Sequence, residues 1–156
     1  MSLPHSVDSY LRAQYADYDI MRHPMTWCST QTAQACHVSG NRIAKGVVLK
    51  DEQGYVLAVL PASHHIQFHR LNRWLGRRLD MVSEDEATEL FKDCEPGAFP
   101  VFGEIYGIET VVDESLDGVP EIFAEGGDHA SLIHMSQSQF DRLMENAPHG
   151  NFSIPA

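Results

Sequence analysis

Lys45 puts an ammonium in the middle of an apolar strand-like run, Arg42-Ile43-Ala44-Lys45-Gly46-Val47-Val48-Leu49-Lys50. Strand faces alternate with period two, so Lys45 shares a row with Ile43, Val47 and Leu49, while Ala44, Gly46 and Val48 take the other face. An unpaired ammonium buried among such neighbours costs several kcal/mol or gives up its proton. Two readings are open: the side chain snorkels to water from near a strand end, or the row opens into a pocket that receives an anion. Two glycine-bearing segments are the next candidates. Gly126-Gly127-Asp128-His129 falls between two strand-like runs. It is either a tight turn or a place where backbone amides approach a ligand, with Asp128 and His129 at the rim. Glu95-Pro96-Gly97-Ala98-Phe99-Pro100 is a loop by composition, either a plain connection or a rigid wall against which a small side chain is measured.

Other chemistries find less support. His64, His65 and His69 include an i,i+4 pair that, on a helix, would suit zinc. The segment His65-Ile66-Gln67-Phe68-His69 lacks the glutamate of a metalloprotease helix, and spacing offers no third ligand, so no metal and no other cofactor is expected. No serine sits in a GxSxG elbow, and there is no phosphate-cradling GxxxxGK[ST] or GxGxxG. Cys28, Cys36 and Cys94 form no CxxC and are odd in number, which speaks for a reducing cytoplasm and against a disulfide framework.

The elements that must position these groups read as follows. Ser6 caps a short helix through Val7, Tyr10 and Leu11, and a strand near Tyr18–Arg22 ends at His23-Pro24. Ser29 or Thr30 caps a second helix that ends near Gly40. Arg42–Lys50 and Tyr55–Leu60 form a hairpin around Asp51-Glu52-Gln53-Gly54. A helix is expected from about His64 to Leu75, and Ser83-Glu84-Asp85-Glu86 opens another to Phe91 as a capping box. Strands follow near Thr110–Asp113, Glu121–Ala124 and Ser131–Met135. Ser136-Gln137-Ser138-Gln139 starts a last helix through Phe140 and Leu143, and the chain after Asn146 reads as frayed. Strands and helices mix without regular βαβ alternation, which predicts one α+β domain, a mixed β-sheet core surrounded by helices.

Composition bounds the partners. The 156 residues fit one domain with a proper core. No stretch approaches the ~18–20 apolar residues of a membrane span, so no membrane association is expected. The net charge of −11 divides into +4 over residues 1–79 and −15 over residues 80–156. General binding to DNA is therefore not expected. A basic surface would have to come from Arg42, Lys45, Lys50 and the Arg70, Arg73, Arg77, Arg78 group, the last of which also fits a solvated helix face.

None of these features is specific alone; their order is. Thr32-Ala33-Gln34-Ala35-Cys36-His37, then Ile43-Ala44-Lys45, then Gly97-Ala98-Phe99-Pro100-Val101-Phe102-Gly103, then a glycine turn before the last strand, resembles the YbaK/ProX family of aminoacyl-tRNA deacylases, related to the editing domain of bacterial prolyl-tRNA synthetase. The likeness spans residues 28–145, with 1–27 as an N-terminal helix and strand packed on that domain and 146–156 as a tail. Two departures stand out. The loop reads Gly97-x-x-Pro100, one residue tighter than the family's GxxxP element, and Gly46 follows the lysine where the family usually has Ser or Thr. The resemblance implies a cytoplasmic trans-editing hydrolase that cleaves the ester of a mischarged aminoacyl-tRNA without metal or covalent intermediate. It implies Lys45 as the catalytic residue at the terminal nucleotide, and Gly97, Pro100 and Gly103 as holding the amino-acid end, with Gly127, Asp128 and His129 beside them. The implied partners are the acceptor end of aminoacyl-tRNA and a tRNA synthetase. A stiff, glycine-lined pocket fits small amino acids. The alternative is a non-catalytic module that keeps the pocket for an aminoacyl group and serves regulation.

Overall fold

The computed structural model describes residues 3–24 and 29–156, apart from the side chains of Ser29 and Thr30. In chain order the elements are α1 (His5–Ala13), β1 (Asp19–Arg22), α2 (Ser29–Cys36), β2 (Ile43–Asp51), β3 (Gly54–Pro61), β4 (His64–Ile66), α3 (Phe68–Leu75), β5 (Asp80–Met81), α4 (Glu84–Leu90), β6 (Glu109–Asp113), β7 (Glu121–Glu125), β8 (Ser131–Ser136), α5 (Gln137–Leu143), β9 (His149–Gly150) and β10 (Ser153–Pro155). The main sheet runs β1-β8-β7-β2-β3-β6-β9, with β5 added against β2. It is mixed: β2–β3, β7–β8 and β1–β8 are antiparallel, whereas β2–β7, β3–β6 and β6–β9 are parallel. This is the α+β architecture with a mixed sheet that the sequence predicts.

The β2–β3 hairpin is the centre of the sheet. Its register runs from Ala44↔Pro61 to Asp51↔Gly54, closing on the two-residue turn Glu52-Gln53. Asp51 Oδ1 accepts from Gln53 N at 2.8 Å, and Gly54, at φ +132, takes a conformation disfavoured for any residue with a Cβ. Alternation along β2 then separates two cores. Ala44 and Val48, with Leu57 and Val59 of β3, face the larger one, which is closed by Val7 and Leu11 of α1, Ala87 of α4, and Phe140 and Leu143 of α5. On the opposite face, Ile43 joins Phe123, Leu132 and Ala33 of α2, while Leu49 joins Leu60, Leu71 of α3 and Phe152. Lys45 falls on this second face, between the two patches. Gly46 falls on the first, where a Cβ would come within 2.8 Å of Leu57 Cδ1. The family's Ser or Thr would therefore require Leu57 to shift in the core, on the face away from Lys45.

Two capping expectations hold. Ser83 Oγ accepts from Glu86 N at 3.1 Å and Ser136 Oγ from Gln139 N at 3.3 Å, each satisfying a first-turn donor. The cap at Ser29 or Thr30 involves side chains outside the described residues. Ser6 is not a cap: α1 begins at His5 after Pro4, and the Ser6 hydroxyl donates instead to Asp93 at the surface, far along the chain. The expected helix from His64 begins only at Phe68, because His64–Ile66 pairs antiparallel with Ser153–Pro155. The frayed tail is likewise corrected. Asp113 Oδ1 accepts from Phe152 N at 2.8 Å and Ser153 N at 3.0 Å, and Phe152 is fully buried. A strand partner nearly 90 residues away draws both segments into a small second sheet.

Candidate functional site

Neighbouring strands separate beside Lys45. Parallel pairing of β2 with β7 covers Ile43↔Phe123 and Ala44↔Ala124 and then stops. Further along the same edge, β5 pairs at Leu49 and Lys50. Between them, residues 45–47 of β2 have a strand partner only on the β3 side, among the described residues. The divergence of β7 and β5 leaves this stretch of the central strand as the place where a ligand could enter between strands. Lys45 projects from this stretch, half-buried, and Nζ donates to the carbonyls of His64 at 2.7 Å and Ala62 at 3.4 Å. The side chain therefore does not simply snorkel. Two backbone carbonyls, one in the β3–β4 turn and one at the start of β4, hold its head.

Glu125 ends β7, one residue beyond the last β2–β7 pair, on the row of Phe123. Its carboxyl is 3 % exposed, with Oε1 accepting from Thr32 Oγ1 of α2 at 3.3 Å. Burial pushes this acid up to about 7, Thr32 opposes the rise and Asp128 adds to it. Sequence reasoning missed Glu125. A charged residue just before Gly126-Gly127 reads as the rim of a turn, so the sequence places the strand's end at Ala124, one residue short of the observed β7. Extending period two one step beyond Phe123 would have found it.

The Gly126–His129 turn and the Gly97 loop form one unit at the end of β7. Glu95 N donates to Gly127 O at 2.8 Å, and His129 Nε2 donates to the Pro96 carbonyl. Gly97 (φ +82), Gly127 (φ +108) and His129 (φ 59) all adopt left-handed backbone conformations. A Cβ on Gly97 would lie 3.4 Å from His129 Cε1 and 3.7 Å from Glu84 Oε1, and one on Gly127 would collide with Pro4 Cγ at 2.8 Å. Asp128 is buried with its carboxylate in use, Oδ1 accepting from Ala130 N at 2.9 Å and Oδ2 from Ser131 Oγ at 3.0 Å. It shapes the turn from within.

The structure thus joins Gly97, Gly127, Asp128 and His129 at the end of β7, while Lys45 stands on β2, the strand that pairs with β7 at Ile43 and Ala44. It does not bring Gly103 there. Gly103 lies on the Gly46 side of the sheet, where a Cβ would come within 2.2 Å of Thr110 Oγ1 and 3.4 Å of Leu57 Cδ2. It borders a separate groove of about 350 Å³ with Tyr10, Phe102 and Ile108. Pro100 is buried just before Val101 and Phe102 enter the larger core.

Other chemistries lose ground. Burial raises the Cys94 thiol to about 12, and burial together with Glu125 raises Cys36, so neither is an activated nucleophile; Cys28 lies outside the described residues. His65 stands on β4 and His69 on α3, so they are not a helical pair, and no three ligating side chains converge among the described residues. The basic group is largely committed. Arg77 grips Asp51 with two bonds of 2.6 Å and Glu109 at 2.8 Å, Lys50 meets Glu86 at 3.0 Å and Arg42 meets Glu121 at 3.7 Å. Arg73 and Arg78 remain exposed on and just after α3, the helix packed over Lys45's face.

The described residues thus supply a lysine on the central strand where β7 parts from it, and two glycine loops joined at the end of β7. The chain belongs to the aminoacyl-tRNA editing domain family, whose pattern it matches over residues 23–143. Among solved structures it is similar to a candidate trans-editing enzyme for prolyl-tRNA synthetase, at 23% identity and a TM-score of 0.81, covering 98% of this chain and 99% of the other. It is also similar to the hypothetical protein APE2540, at 19% identity and a TM-score of 0.84 over 96% and 100% of the two chains. A candidate signal transduction protein from Marinobacter aquaeolei VT8 shares the fold at 20% identity and a TM-score of 0.76; the match covers 95% of this chain and 30% of that one. No curated protein matches the chain in sequence. No helix among the described residues is long and apolar enough to cross a membrane.

Proposed function

We propose that the protein is a cytoplasmic trans-editing deacylase that hydrolyses the ester between a small, mischarged amino acid and the terminal ribose of tRNA. The observation that carries the reading is Lys45, held by the His64 and Ala62 carbonyls at the point where β7 leaves β2, in a chain of the editing-domain family. In this reading the ammonium receives the terminal nucleotide's phosphate or ribose. The Gly97 loop, stiffened by Pro100, and the Gly127–His129 turn bound the amino-acid end. Water attacks the ester carbonyl carbon, the C–O bond to the ribose breaks, and the free amino acid and tRNA leave. Rate comes from placing that water and from fixed dipoles around the developing oxyanion. Arg73 and Arg78, exposed on and just after α3, are basic groups that could meet an acceptor stem, and a tRNA synthetase would supply the substrate.

The test is a deacylation panel of charged tRNAs, with and without chelator. Alanyl-, seryl- or cysteinyl-tRNA should be hydrolysed well above the spontaneous rate, bulky aminoacyl groups should not, and chelator should change nothing. Loss of activity in chelator with recovery in zinc would overturn the metal-free mechanism. Absence of hydrolysis with retained binding of an aminoacyl analogue would replace the enzyme with the non-catalytic binding module.

A further inference from the structure

We propose that Glu125 seats the protonated α-amino group of the esterified amino acid, so that the site accepts esters with a free ammonium and rejects N-acylated ones. The inference rests on the deacylase reading above and deepens it. Glu125 is 3 % exposed; Thr32 meets one carboxyl oxygen, and the other, Oε2, has no hydrogen-bond partner among the described residues. Buried carboxylate oxygens are seldom left unpaired, and those that are tend to be completed by something the site binds. No cation of the described residues forms an ion pair with it.

The local field selects the sign of that missing partner. Asp128, three residues on, is also buried, and its oxygens are already occupied by Ala130 N and Ser131 Oγ. Its negative charge bears on Glu125 without competing for the same ligand. Two buried acids side by side disfavour an anion and favour a cation. On the neighbouring strand, the Lys45 head leans toward the His64 and Ala62 carbonyls. An aminoacyl ester entering between the strands would thus meet positive charge at its nucleotide end and negative charge at its amino end. A small aminoacyl group carries one cation, the α-ammonium. Acylation of that nitrogen, as in a peptidyl ester, removes the charge and adds bulk, so a site of this kind leaves growing chains alone while clearing single amino acids.

Calorimetric titration tests this with three non-hydrolysable adenosine 3′-amides: alanyl, its N-acetyl derivative and the lactyl analogue with hydroxyl in place of amine. The wild-type protein should bind the alanyl form roughly ten- to hundredfold more tightly than the other two, the range for a hydrogen bond to a buried charge. Glu125→Gln, with its fold checked by far-UV circular dichroism, should bind all three within a few-fold of one another. Equal affinity of the wild-type protein for the alanyl and lactyl forms would overturn the role of Glu125 while leaving the deacylase reading intact. Failure of the wild-type protein to bind any of the three would remove both. The wild-type comparison decides even where Glu125→Gln does not fold.

Discussion

Replacing Glu125 by glutamine isolates the cost of holding a carboxylate in the second core. The folded protein retains the Glu125 proton to about pH 7, whereas the unfolded chain releases it near the ordinary value of 4.5. Between those values the folded state binds more protons, so this group's contribution to stability is greatest below pH 4.5, falls between pH 4.5 and 7 and is level above. At 1.36 kcal/mol per pH unit, a gap of this size corresponds to a loss of about 3 kcal/mol, an order-of-magnitude figure. Glutamine keeps the oxygen that accepts from Thr32 and cannot ionise. Its amide nitrogen, placed where Oε2 has no partner, costs on the order of 1–3 kcal/mol at every pH. The informative quantity is therefore the slope. Urea unfolding of both proteins from pH 4.5 to pH 8 should show the stability difference moving by about 3 kcal/mol in favour of Glu125→Gln. The histidines cancel, being common to both. Parallel curves would show that the carboxyl titrates normally and would refute the argument from burial.

Three further outcomes are expected. Gly46→Ser should lower stability by about 1–3 kcal/mol in chemical unfolding, through overpacking against Leu57, and should not raise the deacylation rate. Gly97→Ala, at φ +82, should cost about 1–2 kcal/mol of stability and shift the relative rates of alanyl-, seryl- and cysteinyl-tRNA; an unchanged panel would detach the loop from the pocket. Phe152→Ala should cost about 3–5 kcal/mol by urea unfolding, because the tail is part of the second core; a loss below 1 kcal/mol would return it to a frayed end.

Local signals carried much of the architecture. Alternation over residues 43–60, with a glycine closing a polar turn, is enough to write the hairpin and its faces, and with them the side on which Lys45 stands. Ser83 and Ser136 announce their helices because a cap acts within one turn. Non-local pairings were not legible. His64-His65-Ile66 has helix-compatible residues and becomes a strand only because Ser153–Pro155 arrives beside it. The anchor of that arrival is the Asp113 side chain, 39 positions before Phe152. The site divides in the same way. Lys45 stood out as a charge in an apolar row, and the two glycine segments stood out by composition. That Gly97 meets His129, whereas Gly103 packs under Thr110 in another groove, depends on contacts between distant segments. Glu125 escaped because its neighbours hide a buried position at a strand's last residue.

The central claim is that Lys45 is catalytic, and single-turnover deacylation by the Lys45→Ala protein tests it most directly. The assay uses whichever small aminoacyl-tRNA the wild-type protein turns over fastest, with fold verified by far-UV circular dichroism. Loss of one fixed charge at a reacting centre predicts a rate lower by ~10²–10³ at saturating protein. A folded Lys45→Ala protein that hydrolyses the ester at the wild-type rate would reduce Lys45 to a structural residue tied to the His64 and Ala62 carbonyls, and would contradict the account.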